Sequence, residues 1–355
     1  MPRVVIADGF IATNVGNAFY NIGLYFALKD LLPDHDIYRL GDLNGNYWST
    51  ASMNSNNFEL IEHIEADFFV LTGPMLSEDM PGLYEKLFAR LQEKGTRILL
   101  ISAGGYTYEN AEVNICRRFL EKYHNICGLI TRDTRAYDLY KDYASISHSG
   151  ICCAWLLPKY VKPLPISPNG LKPYVTLCFD SIPEPIINDL QHGDEVALEQ
   201  AMMSRIMEVS SVFDWKPKVF DKMLYVADLL LRSGNLPKFL NEYAIVRPTH
   251  CVLGRPPRFL FSKPNTYLSE IPEGYISLYA NSTLTITDRV HAAVASLAYG
   301  TPTRLITRSQ RSLLFERVGA QEVLTEITCI DQSALESKQK LLLEQISSLF
   351  GGISE

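Results

Sequence analysis

The chain has 355 residues, 47% of them hydrophobic, and a net charge of −7. At roughly 100–200 residues per domain this predicts two domains, each with material for a packed core. The acidic balance excludes non-specific nucleic-acid binding, which needs a basic face, and no apolar run approaches the ~20 residues of a membrane span.

The chain opens on Arg3–Asp8, a strand pattern with no basic-then-apolar leader, so no secretion signal is expected. Further strands are predicted at Ile37–Leu40, Phe68–Gly73, Ile98–Ala103 and Gly128–Arg132. Helical patterns lie between them: 17–32, with Leu24, Ala27, Leu28 and Leu31 on one face, then 82–94 and 110–124. Strands alternating with helices predict a parallel, doubly wound sheet. Five prolines in residues 158–173 cannot sustain a helix or a central strand, and this stretch reads as a linker. Alternation resumes with a strand at Tyr174–Phe179, helical stretches through 185–240, strands at Tyr243–Arg247, Arg258–Phe261, Leu284–Thr287 and Thr303–Ile306, and a last helix near 332–349. The fold class is therefore α/β, with two Rossmann-like domains facing a cleft. The predicted boundaries are 1–157, a linker at 158–173, 174–331, and a C-terminal helix and tail at 332–355.

The seven cysteines are odd in number and show no paired spacing. Apolar contexts such as Leu177-Cys178-Phe179 predict reduced core thiols of a cytosolic protein. Cys152 and Cys153 are adjacent, but nothing near them completes a zinc site, and no metal is expected.

Ligands of such sheets bind beyond the carboxyl ends of the strands, and four strand ends carry suitable residues. After the first strand, Asn14, Gly16 and Asn17 lead into the helix. Gly16 permits close backbone approach and Asn17 can cap; the same residues also make a plain β–α turn. Thr72-Gly73-Pro74 reads as a turn, whereas Gly104-Gly105 fits a turn and a ligand approach equally well. Arg132 ends a strand and Asp133 is placed to cap the next helix; a local Arg–Asp pair is the simpler reading. The fourth is the most informative. A β-branched run, Thr283 to Thr287, stops at Asp288, and Val290, Ala293, Val294, Leu297 and Ala298 then follow helical spacing up to Gly300 and Pro302.

With Asp288 as N-cap, Arg289 and His291 fall in the first helical turn. A cation there costs ~0.3–1 kcal/mol against the helix dipole unless an anion is present. An anion site and a capped helix with a surface Arg both explain the pattern. Arg247 and His250, at a neighbouring strand end, and Arg304, Arg308 and Arg311 add to the cluster, although His250 also suits a structural role. Arg and His around a helix start suit a ligand with two anionic groups. The helix dipole lowers the pKa of His291 and a bound dianion raises it, which would poise the ring as a proton donor.

These matches, taken in order, resemble the polysaccharide pyruvyl transferase family. Asn14-Val15-Gly16-Asn17 looks like its Asn-x-Gly-Asp loop. Ala66–Gly73 resembles its "aspartate, apolar strand, glycine" segment, and Ile130-Thr131-Arg132-Asp133 is similar to its Arg-Asp before a helix. Ile286–Ala292 followed by Tyr299-Gly300-Thr301-Pro302 looks like its Arg-x-His stretch and Gly-Thr-Pro. There are departures. Asn17 stands for an acidic residue, Thr72-Gly73-Pro74 for a triple glycine, Ala136 for a serine and Arg311 for a lysine; an aspartate expected near 150–153 is absent from Gly150-Ile151-Cys152-Cys153.

The resemblance implies a glycosyltransferase-B-like fold and transfer of pyruvate from phosphoenolpyruvate, a donor substrate rather than a cofactor, onto a sugar as a cyclic ketal. His291 would be the general acid/base, Arg289 would bind the donor, the 290–292 amides would share its charge, and Asp288 would orient the turn or take an acceptor proton. Arg132, Asn14, Gly16, Asn17, Gly104, Gly105, Arg247, His250 and Arg311 would line the substrate. The first domain would hold the acceptor, a sugar, oligosaccharide or lipid-linked glycan, and the second the donor. The reading places the protein in the cytoplasm, or peripherally at the inner membrane surface. Two alternatives remain: a nucleotide-sugar glycosyltransferase of the same architecture, and a non-catalytic glycan-binding relative.

Overall fold

Val4, Val5, Ile6 and Ala7 are all buried, as a strand covered on both faces requires. Val4 and Ile6 face one apolar core, Val5 and Ala7 another. The computed structural model describes residues 1–8, 14–41, 60–166, 173–185, 236–250, 261, 263–307 and 309–351. The strand β1 (Arg3–Ala7) is central to a parallel sheet completed by β2 (Asp36–Leu40), β3 (Phe68–Thr72), β4 (Arg97–Ala103), β5 (Cys127–Thr131) and β6 (Ile146–Ser149). The order is β2-β1-β3-β4-β5-β6. Its helices are α1 (Gly16–Leu31), α2 (Met80–Glu93), α3 (Asn110–Lys122) and α4 (Thr134–Tyr140).

The second sheet contains β7 (Tyr174–Cys178), β8 (Phe239–Leu240), β9 (Tyr243–Pro248), β10 (Thr266–Tyr267), β11 (Leu284–Thr287) and β12 (Thr303–Leu305). Its order is β10-β9-β7-β11-β12, all parallel, with β8 antiparallel on β9. The helices α5 (Pro272–Ala280) and α6 (Val290–Ala298) belong to this half. The strand order reverses at β1/β3 in the first sheet and at β7/β11 in the second, and those switch points are where open α/β sheets take ligands.

The two halves share one core. Phe19, Leu24 and Leu28 of α1, the Cys152–Leu157 segment and the buried face of α6 belong to a single apolar cluster. Gly23 lets α1 approach closely: a Cβ there would stand 2.1 Å from the Cys153 carbonyl oxygen. The last helix, α7 (Gln332–Gly351), follows the second half in sequence but returns to the first. Gln339 Nε2 donates to the Trp155 carbonyl at 2.6 Å and Gln345 Nε2 to that of Ser149 at 3.1 Å.

Several elements differ from the sequence expectation. Phe239–Leu240 is a short strand, not the end of a helix, while residues 186–235 and 258–260 lie outside the described residues. Pro158 sits in a helical turn, Leu157–Tyr160, at an early position where no N–H is needed. The edge strand β6 is hidden in sequence by its polar Ser-His-Ser, whereas the helix expected after Asp133 forms as α4. Cys116, Cys127, Cys152, Cys153 and Cys178 are free and buried; Cys329 is free and exposed.

Candidate active site

The carboxyl ends of the two sheets meet. The Val15 amide, at the start of α1, donates to the His250 carbonyl after β9 at 3.0 Å. Cys152 Sγ, after β6, lies 3.7 Å from His291 Nε2 after β11.

Asp288 is not the N-cap of α6. Arg289 occupies that position, with extended backbone and no side-chain cap, which leaves His291 in the first turn. The Asp288 carboxylate instead spans the second switch point. It accepts from the backbone N–H groups of Asp180 (3.1 Å), Ser181 (2.5 Å) and Ile182 (3.0 Å). Burial pushes its pKa up to about 6, against the opposing pull of Arg289. Its lone pairs are committed to the loop after β7, so it clamps that loop and is poorly placed to take an acceptor proton. Arg289 Nη1 donates to Ser181 Oγ at 2.8 Å, and Arg289 Nε lies 3.9 Å from Asp180.

Arg132 is the most telling side chain. It is 0% exposed, yet Nε, Nη1 and Nη2 have no hydrogen-bond partner among the described residues. The expected local pair with Asp133 does not form. Asp133 caps α4 through the Ala136 amide at 2.8 Å and accepts from the Tyr108 hydroxyl at 2.7 Å. Leaving a buried charge unpaired costs several kcal/mol, on the order of 3–5. Such a cost is sustained where a ligand supplies the counter-charge.

Gly104 makes room for Arg132, since a Cβ there would sit 2.4 Å from Nε. Gly105 has a local duty: its N–H donates to the Tyr108 hydroxyl at 2.9 Å. The 106–108 loop is fixed by the buried Glu112 carboxylate, which accepts from the N–H groups of Tyr106, Thr107 and Tyr108. Tyr106 itself is 48% exposed, and the Arg311 guanidinium lies over its ring at 5.4 Å.

His291 is buried among these cations. Burial is the main cause that holds its pKa well below the usual value, and the charges of Arg132, Arg311 and Arg289 and the nearby His250 push the same way. The sequence predicts a depression from the helix dipole; in the structure its chief source is burial followed by guanidinium charge, with Tyr20 stacked edge-on at 4.9 Å. Arg311 is also lowered by burial and by the repulsion of Arg132 and Arg289. Three guanidinium groups thus act on one neutral imidazole.

Two other expected ligand residues, Arg247 and His250, have structural partners. Arg247 forms a buried pair with Glu184 at 2.8 Å and donates to the carbonyls of Pro237 and Pro264. It secures the second sheet. His250 sits in an aromatic cage of Phe19, Tyr275 and Tyr279, with Nε2 2.5 Å from the Tyr279 hydroxyl. Burial pushes its pKa down to about 3, so it serves as a neutral structural joint. Asn17 is not a cap but the second residue of α1; Val15 holds the cap position. Asn14 Oδ1 accepts from the Gly16 amide at 3.1 Å. Gly16 is needed for close contact, because a Cβ there would meet Asn14, His250 and His291 at 3.1 Å. Arg308 lies outside the described residues, and Arg304 donates to the Val323 carbonyl.

Nothing in the sequence pattern marks Tyr20 or Cys152 as neighbours of His291, because both read as core. Among the described residues no group of three His, Cys, Asp or Glu side chains could hold a metal, and no helix is long and apolar enough to cross a membrane.

Two parallel α/β sheets joined at their carboxyl ends around a buried Arg-His cluster define a glycosyltransferase-B-like protein. A solved structure agrees on the fold. A putative UDP-N-acetylglucosamine 2-epimerase from Listeria monocytogenes has a TM-score of 0.50 at 12% identity, over 96% of this chain and 88% of that one. S. aureus MnaA in a co-structure with UDP gives 0.49 at 12%, over 98% and 91%. E. coli heptosyltransferase WaaC with ADP-2-deoxy-2-fluoro heptose gives 0.39 at 10%, over 85% and 88%. No curated protein matches the chain. Residues 14–310 match the polysaccharide pyruvyl transferase family, and the chain belongs to it.

Proposed function

We propose that the protein moves a pyruvyl group from phosphoenolpyruvate onto two hydroxyls of a saccharide, forming a cyclic ketal. Family membership supports the reaction class. The observation that carries the donor is Arg132, a fully buried guanidinium with no partner among the described residues. Phosphoenolpyruvate has a carboxylate and a phosphate, and Arg132, Arg311 and Arg289 supply matching fixed charge.

His291 is the group proposed to handle the proton. Binding a multiply charged anion offsets the three guanidinium charges and raises its pKa. The imidazolium then gives a proton to the donor methylene carbon, which becomes a methyl group. One acceptor hydroxyl adds to the adjacent carbon, inorganic phosphate leaves, and the second hydroxyl closes the ring. One hydroxyl proton restores His291 and the other leaves with phosphate. The cations stabilise charge that is present throughout, as preorganised donors do. Asp288 keeps the loop after β7 against the start of α6.

Mass spectrometry of a glycan panel incubated with phosphoenolpyruvate tests the reading. The expected product is an acceptor carrying one pyruvate ketal, with phosphate released in equal amount. Folded protein that produces no such product on any acceptor would count against it.

A further inference from the structure

Cys152 has no role in the steps above, yet its fully buried Sγ is 3.7 Å from His291 Nε2. Its placement is fixed by the backbone. The next residue, Cys153, donates its N–H to Ser102 Oγ at 3.1 Å, and Ser102 is held at φ 62°, in the left-handed region. The unpartnered Arg132 guanidinium acts on both members of the pair. Among the described residues, the groups that face His291 are Tyr20 from α1, Arg132 after β5, Cys152 after β6, His250 after β9, Arg289 before α6 and Arg311 after β12.

Burial holds the Cys152 thiol above its ordinary range, and burial with the surrounding cations holds His291 below its own. The resting pair is therefore a neutral thiol beside a neutral imidazole. A neutral imidazole has one N–H and one good acceptor nitrogen, whereas a thiol is a weak donor and a weaker acceptor. Ser102 Oγ also reaches the Cys152 sulfur and lowers its pKa as a donor to it, so the favourable arrangement puts the S–H proton toward Nε2.

We propose that Cys152 is a positioning residue whose thiol donates to His291 Nε2 and thereby holds the ring proton on Nδ1. The sulfur occupies the Nε2 edge, so Nδ1–H is the donor that His291 offers to a bound anion. Such partners commonly fix a histidine tautomer in catalytic and metal sites. The use of that tautomer in proton transfer rests on the pyruvyl-transfer reading; the tautomer itself does not.

Long-range proton–nitrogen NMR of the ring-labelled full chain, without donor or acceptor, tests the proposal. The His291 signal is assigned by its loss in His291→Gln. Near neutral pH, Nδ1 should show the protonated-type shift and Nε2 the unprotonated one. Cys152→Ala should move the ring several-fold toward Nε2–H. Cys152→Asp, whose ionised carboxylate only accepts, should reverse the tautomer and raise the pH at which His291 titrates. A wild-type ring protonated on Nε2, or ring shifts unchanged in Cys152→Ala, overturns the proposal. If the Asp variant does not fold, the wild-type and Ala spectra still decide. With no substrate present, failed pyruvylation leaves this result intact, and a wrong tautomer leaves the pyruvyl-transfer reading intact.

Discussion

Gly104 and Arg132 exclude each other's alternatives: a Cβ at residue 104 would stand 2.4 Å from Arg132 Nε and 3.0 Å from Cζ. The obstructed atoms are the far end of a flexible side chain, so Gly104→Ala should fold but displace the guanidinium. We predict that it weakens inorganic phosphate binding about tenfold, equivalent to ~1.4 kcal/mol. Thermal-shift titration with phosphate reads this directly, and unchanged affinity would remove Arg132 from the anion site.

Arg132→Met keeps the length of the side chain and removes an unpaired buried charge. Ligand-free protein should become more stable by ~1–4 kcal/mol, as replacements of buried charge by apolar groups often do. Stabilisation by phosphate should vanish at the same time. Urea unfolding with and without phosphate measures both. A destabilised variant that still responds to phosphate would show that another group satisfies Arg132.

Arg247 has the opposite role, although the sequence reads it as a ligand residue. Arg247→Met removes the guanidinium that pairs with buried Glu184, with Lys263 Nζ still 3.7 Å from its carboxylate, and the fold should lose up to ~3–5 kcal/mol. Below its unfolding transition the variant should keep the wild-type phosphate affinity. Weakened binding in the folded variant would return Arg247 to the site.

The histidines set a pH dependence. His250 and His291 both have folded-state pKa values below 6.5, that of His250 at about 3. As pH falls through 6.5 the unfolded chain takes up protons that the fold refuses, so stability falls. Asp288 has the reverse sign, since its folded value of about 6 lies above 3.8. Between those two values the fold holds the extra proton and offsets one histidine. The loss therefore sets in around pH 6.5, where the two half-titrated histidines together contribute roughly 1.4 kcal/mol per pH unit, and Asp288 offsets one of them from about pH 6 downward. His291→Gln should remove about half of that slope in chemical-denaturation series across pH. An unchanged slope would mean that His291 is not held neutral in the fold.

Much of the fold was legible because parallel strands buried on both faces read as apolar runs such as Phe68-Phe69-Val70-Leu71. The start of α6 was legible from the change of period after Thr287. Side-chain commitments were not. Asp288 looks like a cap in sequence, but the loop after β7, more than a hundred residues earlier, offers it three N–H groups. Arg247 and Arg132 are both strand-end arginines, and only tertiary structure gives one of them a glutamate. The Cys152–His291 contact joins the two halves and has no local signature.

Calorimetric titration of phosphoenolpyruvate into the full chain tests the central claim most directly. Binding at one site is predicted, lost in Arg132→Met and stronger than binding of UDP-N-acetylglucosamine. A chain that ignores phosphoenolpyruvate, or binds it equally well without Arg132, would contradict the assignment of the buried guanidinium to the donor.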